Sequence, residues 1–235
     1  MTFCVRSVTG RLHRTETRMP GAAPVWDDPP VSDPLYETHV TVRCRGPEEP
    51  ERLRRWAAAA GLKLTHIVLS RGRMRDQPML TLSGSRTRAE EEARAREVVE
   101  RLRADGFEPV RVKTETSPWA PEVPDGPCPD GRYFEHHVKL LLTVGADLDA
   151  LAARVVPHGA HLSWNARRVR EDARHERFVT QRHHGDAEGA ARALGGLLAD
   201  LGGYEVLSVE REFVLHDSDV SVDEGWLTEP VGGRR

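Results

Sequence analysis

Glutamate, histidine and lysine stand two apart in Glu135, His137 and Lys139, inside the strand-like stretch Tyr133–Leu142. Glu37 and His39 are spaced the same way within Tyr36–Cys44. In a β-strand successive side chains point to opposite faces, so residues two apart share one. A face carrying imidazole and carboxylate can transfer protons or hold a divalent metal. With lysine and arginine added, it can neutralise an anion. Imidazole titrates near neutrality, which suits His39 and His137 to acid/base work or metal ligation. Glu37 and Glu135 would orient them or share the ligation, and Lys139 would neutralise substrate charge. His136 falls on the apolar side of the same strand and reads as a core or peripheral histidine.

The same alternation predicts His66 and His161 on the polar face, giving His39, His66, His137 and His161 as a candidate metal set. Imidazole and carboxylate suit zinc, manganese or iron, so a divalent metal is the cofactor to consider. Thr81 and Thr180 join this face from later strands. Two arginine-rich hairpins, "SRGRMRDQ" and "NARRVREDARHER", carry Arg71, Arg73, Arg75, Arg167, Arg168 and Arg170. Guanidinium forks bind phosphate bidentately. Arg71, Arg73, Arg167 and Arg168, with Thr81 and Thr180, are therefore the candidate substrate-binding groups. His216, Asp217 and Asp219 could cap the last strand or hold a cation. There is no glycine-rich phosphate loop, nucleophile elbow or zinc-finger spacing.

Apolar spacing and glycine stops predict the elements that position these residues. Residues 35–117 read strand, helix, strand, strand, helix, strand, and residues 132–216 read the same order. The offset between the halves is nearly constant: 98 residues separate Glu37 from Glu135 and His39 from His137. This reads as an internal duplication. The expected fold is α+β: two tandem ferredoxin-like β-α-β-β-α-β repeats, packed with pseudo-two-fold symmetry around a polar site. Residues 1–34, rich in Pro, Arg, Thr and Asp, read as a disordered segment. Residues 118–131 read as a proline-rich linker, and 217–235 as a tail that Trp226 and Leu227 pin to the body.

The 235 residues carry 30% charged side chains, yet the formal net charge is only −3. That balance argues against a global electrostatic case for nucleic acid or an anionic membrane. No apolar run approaches the length of a membrane span, and the N-terminus lacks an apolar signal core. Three cysteines at unpatterned spacings imply reduced thiols and a cytoplasmic protein.

"LKLTHIVLSRGRM", "QPMLTLSG", "YFEHHVKLLL", "LSWNARRVR", "ERFVTQR" and "VEREFVLHDSD" together resemble an uncharacterised bacterial family whose members often carry the label "ankyrin". The resemblance spans about residues 35–227. The chain has no ~33-residue repeat and no T-P-L-H-x-A motif, so the label itself has no support here. The resemblance implies a compact two-repeat protein and assigns no residue a role. The functional expectation is a cytosolic enzyme or ligand-binding protein acting on a small anionic molecule, phosphorylated ones included, with metal assistance as an option. The competing expectation is a non-catalytic module binding a partner protein or structured RNA through the arginine hairpins. A homodimer is compatible with either.

Overall fold

Nine strands and four helices make up the computed structural model, which describes residues 10–12, 36–128, 130–166 and 174–227. In chain order they are β1 (Gly10–Leu12), β2 (Tyr36–Arg43), α1 (Glu49–Ala59), β3 (Lys63–Leu69), β4 (Asp76–Ser85), α2 (Arg88–Ala104) and β5 (Glu108–Thr116). Then come β6 (Tyr133–Thr143), α3 (Leu148–Val155), β7 (Ala160–Asn165), β8 (Arg174–His183), α4 (Ala187–Asp200) and β9 (Glu205–Asp217).

Each helix starts and stops where local chemistry directs it. Thr87 and Glu90 form a capping box at α2, and Gly106, at φ 74°, ends that helix in the left-handed conformation that costs glycine little. Asp147 and Asp186 accept backbone N–H groups at the starts of α3 and α4.

The strands run β9-β5-β2-β4-β3-β7-β8-β6, and β6 pairs back onto β9. Every pairing is antiparallel, so strands β2 to β9 close an eight-stranded barrel. Short β1 lies along β9 at Val209–Arg211, beyond the stretch that β5 occupies.

This corrects the expectation of α+β architecture with two tandem ferredoxin-like repeats. Among the described residues, the strands form one sheet and no separate open ones. The edges that such sheets would expose are joined at two seams, β5 with β9 and β3 with β7. Unpaired edges are a liability that closure removes. The internal duplication read from the 98-residue offset falls with it. An offset records the lengths of successive elements, whereas the strand pairing builds one body from the whole chain. The proline-rich stretch is packed too: Ala120 and Cys128 are buried, and Arg211 lies 4.7 Å over the Trp119 ring.

The hydrophobic core lies outside the barrel wall. Val40, Val42, Leu80 and Leu82 meet Leu53, Ala57, Val98 and Leu102 of α1 and α2. Val138, Leu140, Val179 and Val209 meet Leu151, Val155, Leu194 and Leu197 of α3 and α4. Alternation then turns the polar residues of these strands inward. Among the described residues, no helix is long and apolar enough to cross a membrane.

Candidate functional site

The barrel encloses a cavity of about 250 Å³, lined by Glu37, His39, Lys113, Glu135, His137, Thr180 and Glu212, among others. Two clusters of the same composition stand in it. In the first, His39 Nε2 lies 3.1 Å from Glu115 Oε1 and 3.4 Å from Glu37 Oε1, while its Nδ1 meets Thr81 Oγ1 at 3.1 Å. In the second, His137 Nε2 lies 3.2 Å from Glu135 Oε2 and 3.3 Å from Glu212 Oε2, and its Nδ1 meets Thr180 Oγ1 at 2.9 Å. Each threonine fixes its ring so that Nε2 faces two carboxylates.

Lys113 stands between the clusters. Its Nζ is 2.9 Å from Glu115 and 4.0 Å from Glu212, and it hydrogen-bonds Glu135 still more closely. Arg182 continues the network, donating to Glu135 Oε1 and Asp223 Oδ2 at 2.6 Å each. Arg111 pairs with Asp223 at 2.8 Å and with Asp217 at 2.5 Å. The last strand and the turn after it therefore feed charge into the interior. Asp223 and Trp226 line the same cavity, with Trp226 Nε1 donating to the Leu162 carbonyl.

Burial disfavours the imidazolium forms of His39 and His137, but the flanking carboxylates outweigh it. His39 is raised above the usual histidine value and His137 well above it. Burial would push Glu135 up, yet Lys113 and Arg182 hold it well below the carboxylate range. Glu115 is lowered in the same way by Lys113 and His39. Glu212 moves the other way, to about 7, through burial and the negative charge of Glu115. Glu37 is raised, mainly by burial. Glu115 Oε2 and Glu212 Oε2 are buried, with the Lys113 ammonium 2.9 Å from the first and His137 Nε2 3.3 Å from the second.

Either cluster offers one imidazole nitrogen and two carboxylate oxygens, all within 4.8 Å of one another. Ligand atoms on a tetrahedral zinc ion lie about 3.3–3.4 Å apart, from bonds of about 2.0–2.1 Å. The 3.1–3.4 Å N···O spacings around the two Nε2 atoms are compatible with that geometry and equally with imidazolium–carboxylate ion pairs. A metal-ligating histidine also needs its second nitrogen oriented, which Thr81 and Thr180 do here.

Of the remaining candidates, Lys139 also lines the cavity, whereas His66 and His161 do not. Lys63, Thr65, Ile67 and Leu69 are the inward residues of β3, so His66 is on the outer side with its ring 3.2 Å from Asp76. His161 is buried in contact with Arg71 and the Trp226 ring, and burial pushes it down to about 4. The four-histidine metal set is thus not brought together. His39 and His137 serve separate clusters completed by glutamates. Lys139 lies 5.1 Å from the Phe178 ring and 3.9 Å from Glu176.

Arg73 holds the C-terminal segment, donating to Ser221 Oγ at 3.0 Å, and Arg71 reaches His161 of β7. Arg167, Arg168 and Arg170 lie outside the described residues. His136 is buried on the outer face against Gln181, pushed down to about 4 mainly by burial.

Arg182 and Asp223 carry no signal of their role in the sequence, and Lys113, Glu115 and Glu212 are expected on the polar face by alternation, without a role of their own. Glu115 reaches His39 through the β2–β5 pairing and Glu212 reaches His137 through β6–β9, while the β5–β9 seam, for which the sequence carries no local signal, brings Lys113 against Glu135 and Glu212. No protein-family model matches the chain, and no curated protein matches it either.

Proposed function

We propose that the barrel interior is the working site of an enzyme or ligand-binding protein for a small anionic molecule, assisted by divalent metal at the Glu–His–Glu clusters. The observation that carries this reading is the placement of each imidazole Nε2 between two carboxylates while a threonine fixes Nδ1. A face that served only solvation would not need ring nitrogens oriented from both sides. The cavity, at about 250 Å³, matches a small molecule rather than a polymer. Bound metal would supply positive charge to an anion, or imidazolium where a cluster holds no metal, because Lys113, Arg111 and Arg182 are already engaged by carboxylates. A cytoplasmic setting is part of the proposal and rests on the free thiols of Cys44 and Cys128.

The test is the metal content of untagged protein purified without chelator, by inductively coupled plasma mass spectrometry. Near-stoichiometric zinc, manganese or iron is expected. It should be lost in His39→Ala and His137→Ala variants that remain folded by circular dichroism, each melting lower than the parent because two buried glutamates lose their imidazole partner. Protein that is metal-free, and takes up none of the three in equilibrium dialysis, refutes metal assistance.

A further inference from the structure

The cavity has two chemically different walls. Strands β6, β9, β5 and β2 are consecutive around the barrel and present His39, Lys113, Glu135, His137 and Glu212. Strands β4, β3, β7 and β8 complete the circumference and present Met79, Ile67, Leu69 and Phe178, with Trp226 beside them, among uncharged polar groups such as Thr65, Gln77, Ser163 and Asn165. Lys63 and Arg182 are the charged residues on this second wall, and Arg182 is committed to Glu135 and Asp223.

Ile67, Met79 and Phe178 point into the barrel yet are only half-buried. Apolar side chains that face an enclosed polar space without being covered are a cost to the folded state. They become an asset when a ligand covers them. Ligand cavities of this kind combine an apolar lining with a few placed polar groups.

We infer that the ligand is an amphiphilic organic oxyanion, a compact aromatic or branched apolar body carrying one phosphate or carboxylate head. The body lies on Ile67, Met79 and Phe178, and the head turns to the His39 and His137 clusters. This inference rests on the proposed small-anion reading of the same cavity.

Isothermal titration calorimetry with full-length, metal-equilibrated protein tests it, using phenyl phosphate against inorganic phosphate and benzoate against acetate. The aromatic member of at least one pair should bind about tenfold or more tightly than its partner, the gain expected from covering a phenyl ring. Whichever pair shows that preference identifies the head group. In Phe178→Ala and, as a second variant, Ile67→Ala, the preference should shrink to less than about threefold, with the small anion's affinity unchanged. Equal affinities within both pairs would overturn the amphiphile and leave the small-anion reading intact. If none of the four probes binds, both readings fall together.

Discussion

Lys113 is the cation on which the interior depends most. It is buried, and it faces Glu115, Glu135 and Glu212 at once. Burial disfavours its charge, but those three carboxylates hold it well above the ordinary lysine value. Removing one member of a buried ion pair leaves the other charge uncompensated, at about 3–5 kcal/mol. Lys113→Met is therefore expected to lose stability of about that size in urea unfolding. Adding Glu135→Gln should recover part of it, because the carboxylate in closest contact with Lys113 is then neutral. Equal losses in the single and double variants would show that Lys113 acts through packing and not through charge.

At the scale of elements, the segment after β9 shows how the barrel gained a stopper. Gly72, at the β3–β4 hairpin, has φ +109°, and a Cβ built there would lie 2.9 Å from Trp226 Cβ and 3.1 Å from the Glu224 carbonyl. Arg73 N donates to that same carbonyl at 2.8 Å. Gly72→Ala should cost about 1–3 kcal/mol through backbone strain and expulsion of the segment. Earlier proteolytic cleavage near residues 220–227 would report it, and an unchanged cleavage pattern would refute the fit. The alternation of Tyr36–Arg43 and Tyr133–Thr143 made the inward and outward sets of β2 and β6 legible in sequence, including Glu37, His39, Glu135 and His137. The β3 stretch misled because Thr65–Ile67 offers no clean alternation: His66 reads as the polar choice, yet Ile67 is the residue that faces the cavity. The acids that complete each cluster, Glu115 and Glu212, come from strands far along the chain, and no local pattern announces which strands will meet.

For the whole molecule, closure ties the two halves of the chain into one stability unit. The β3–β7 seam has three residue pairs and the β5–β9 seam has four. Lys113 of the first half neutralises Glu135 of the second. Expressed alone, residues 35–117 or 132–216 would keep a charged face without its counter-charges and two unpaired edges. Neither fragment is expected to give a dispersed monomeric amide spectrum by NMR. A well-dispersed monomer from either one would show that the halves fold independently. The placement of the core between barrel and helices has a consequence for how such a protein can change over generations. Within β2, positions 38, 40 and 42 face the helices, and positions 37, 39 and 41 face the cavity. Apolar packing and the polar lining are thus written in alternate letters of the same strand. A new specificity is reachable by rewriting the inward set in charge-balanced combinations while the outward set is left untouched, so descendants of this barrel can diverge in what they bind faster than they diverge in shape.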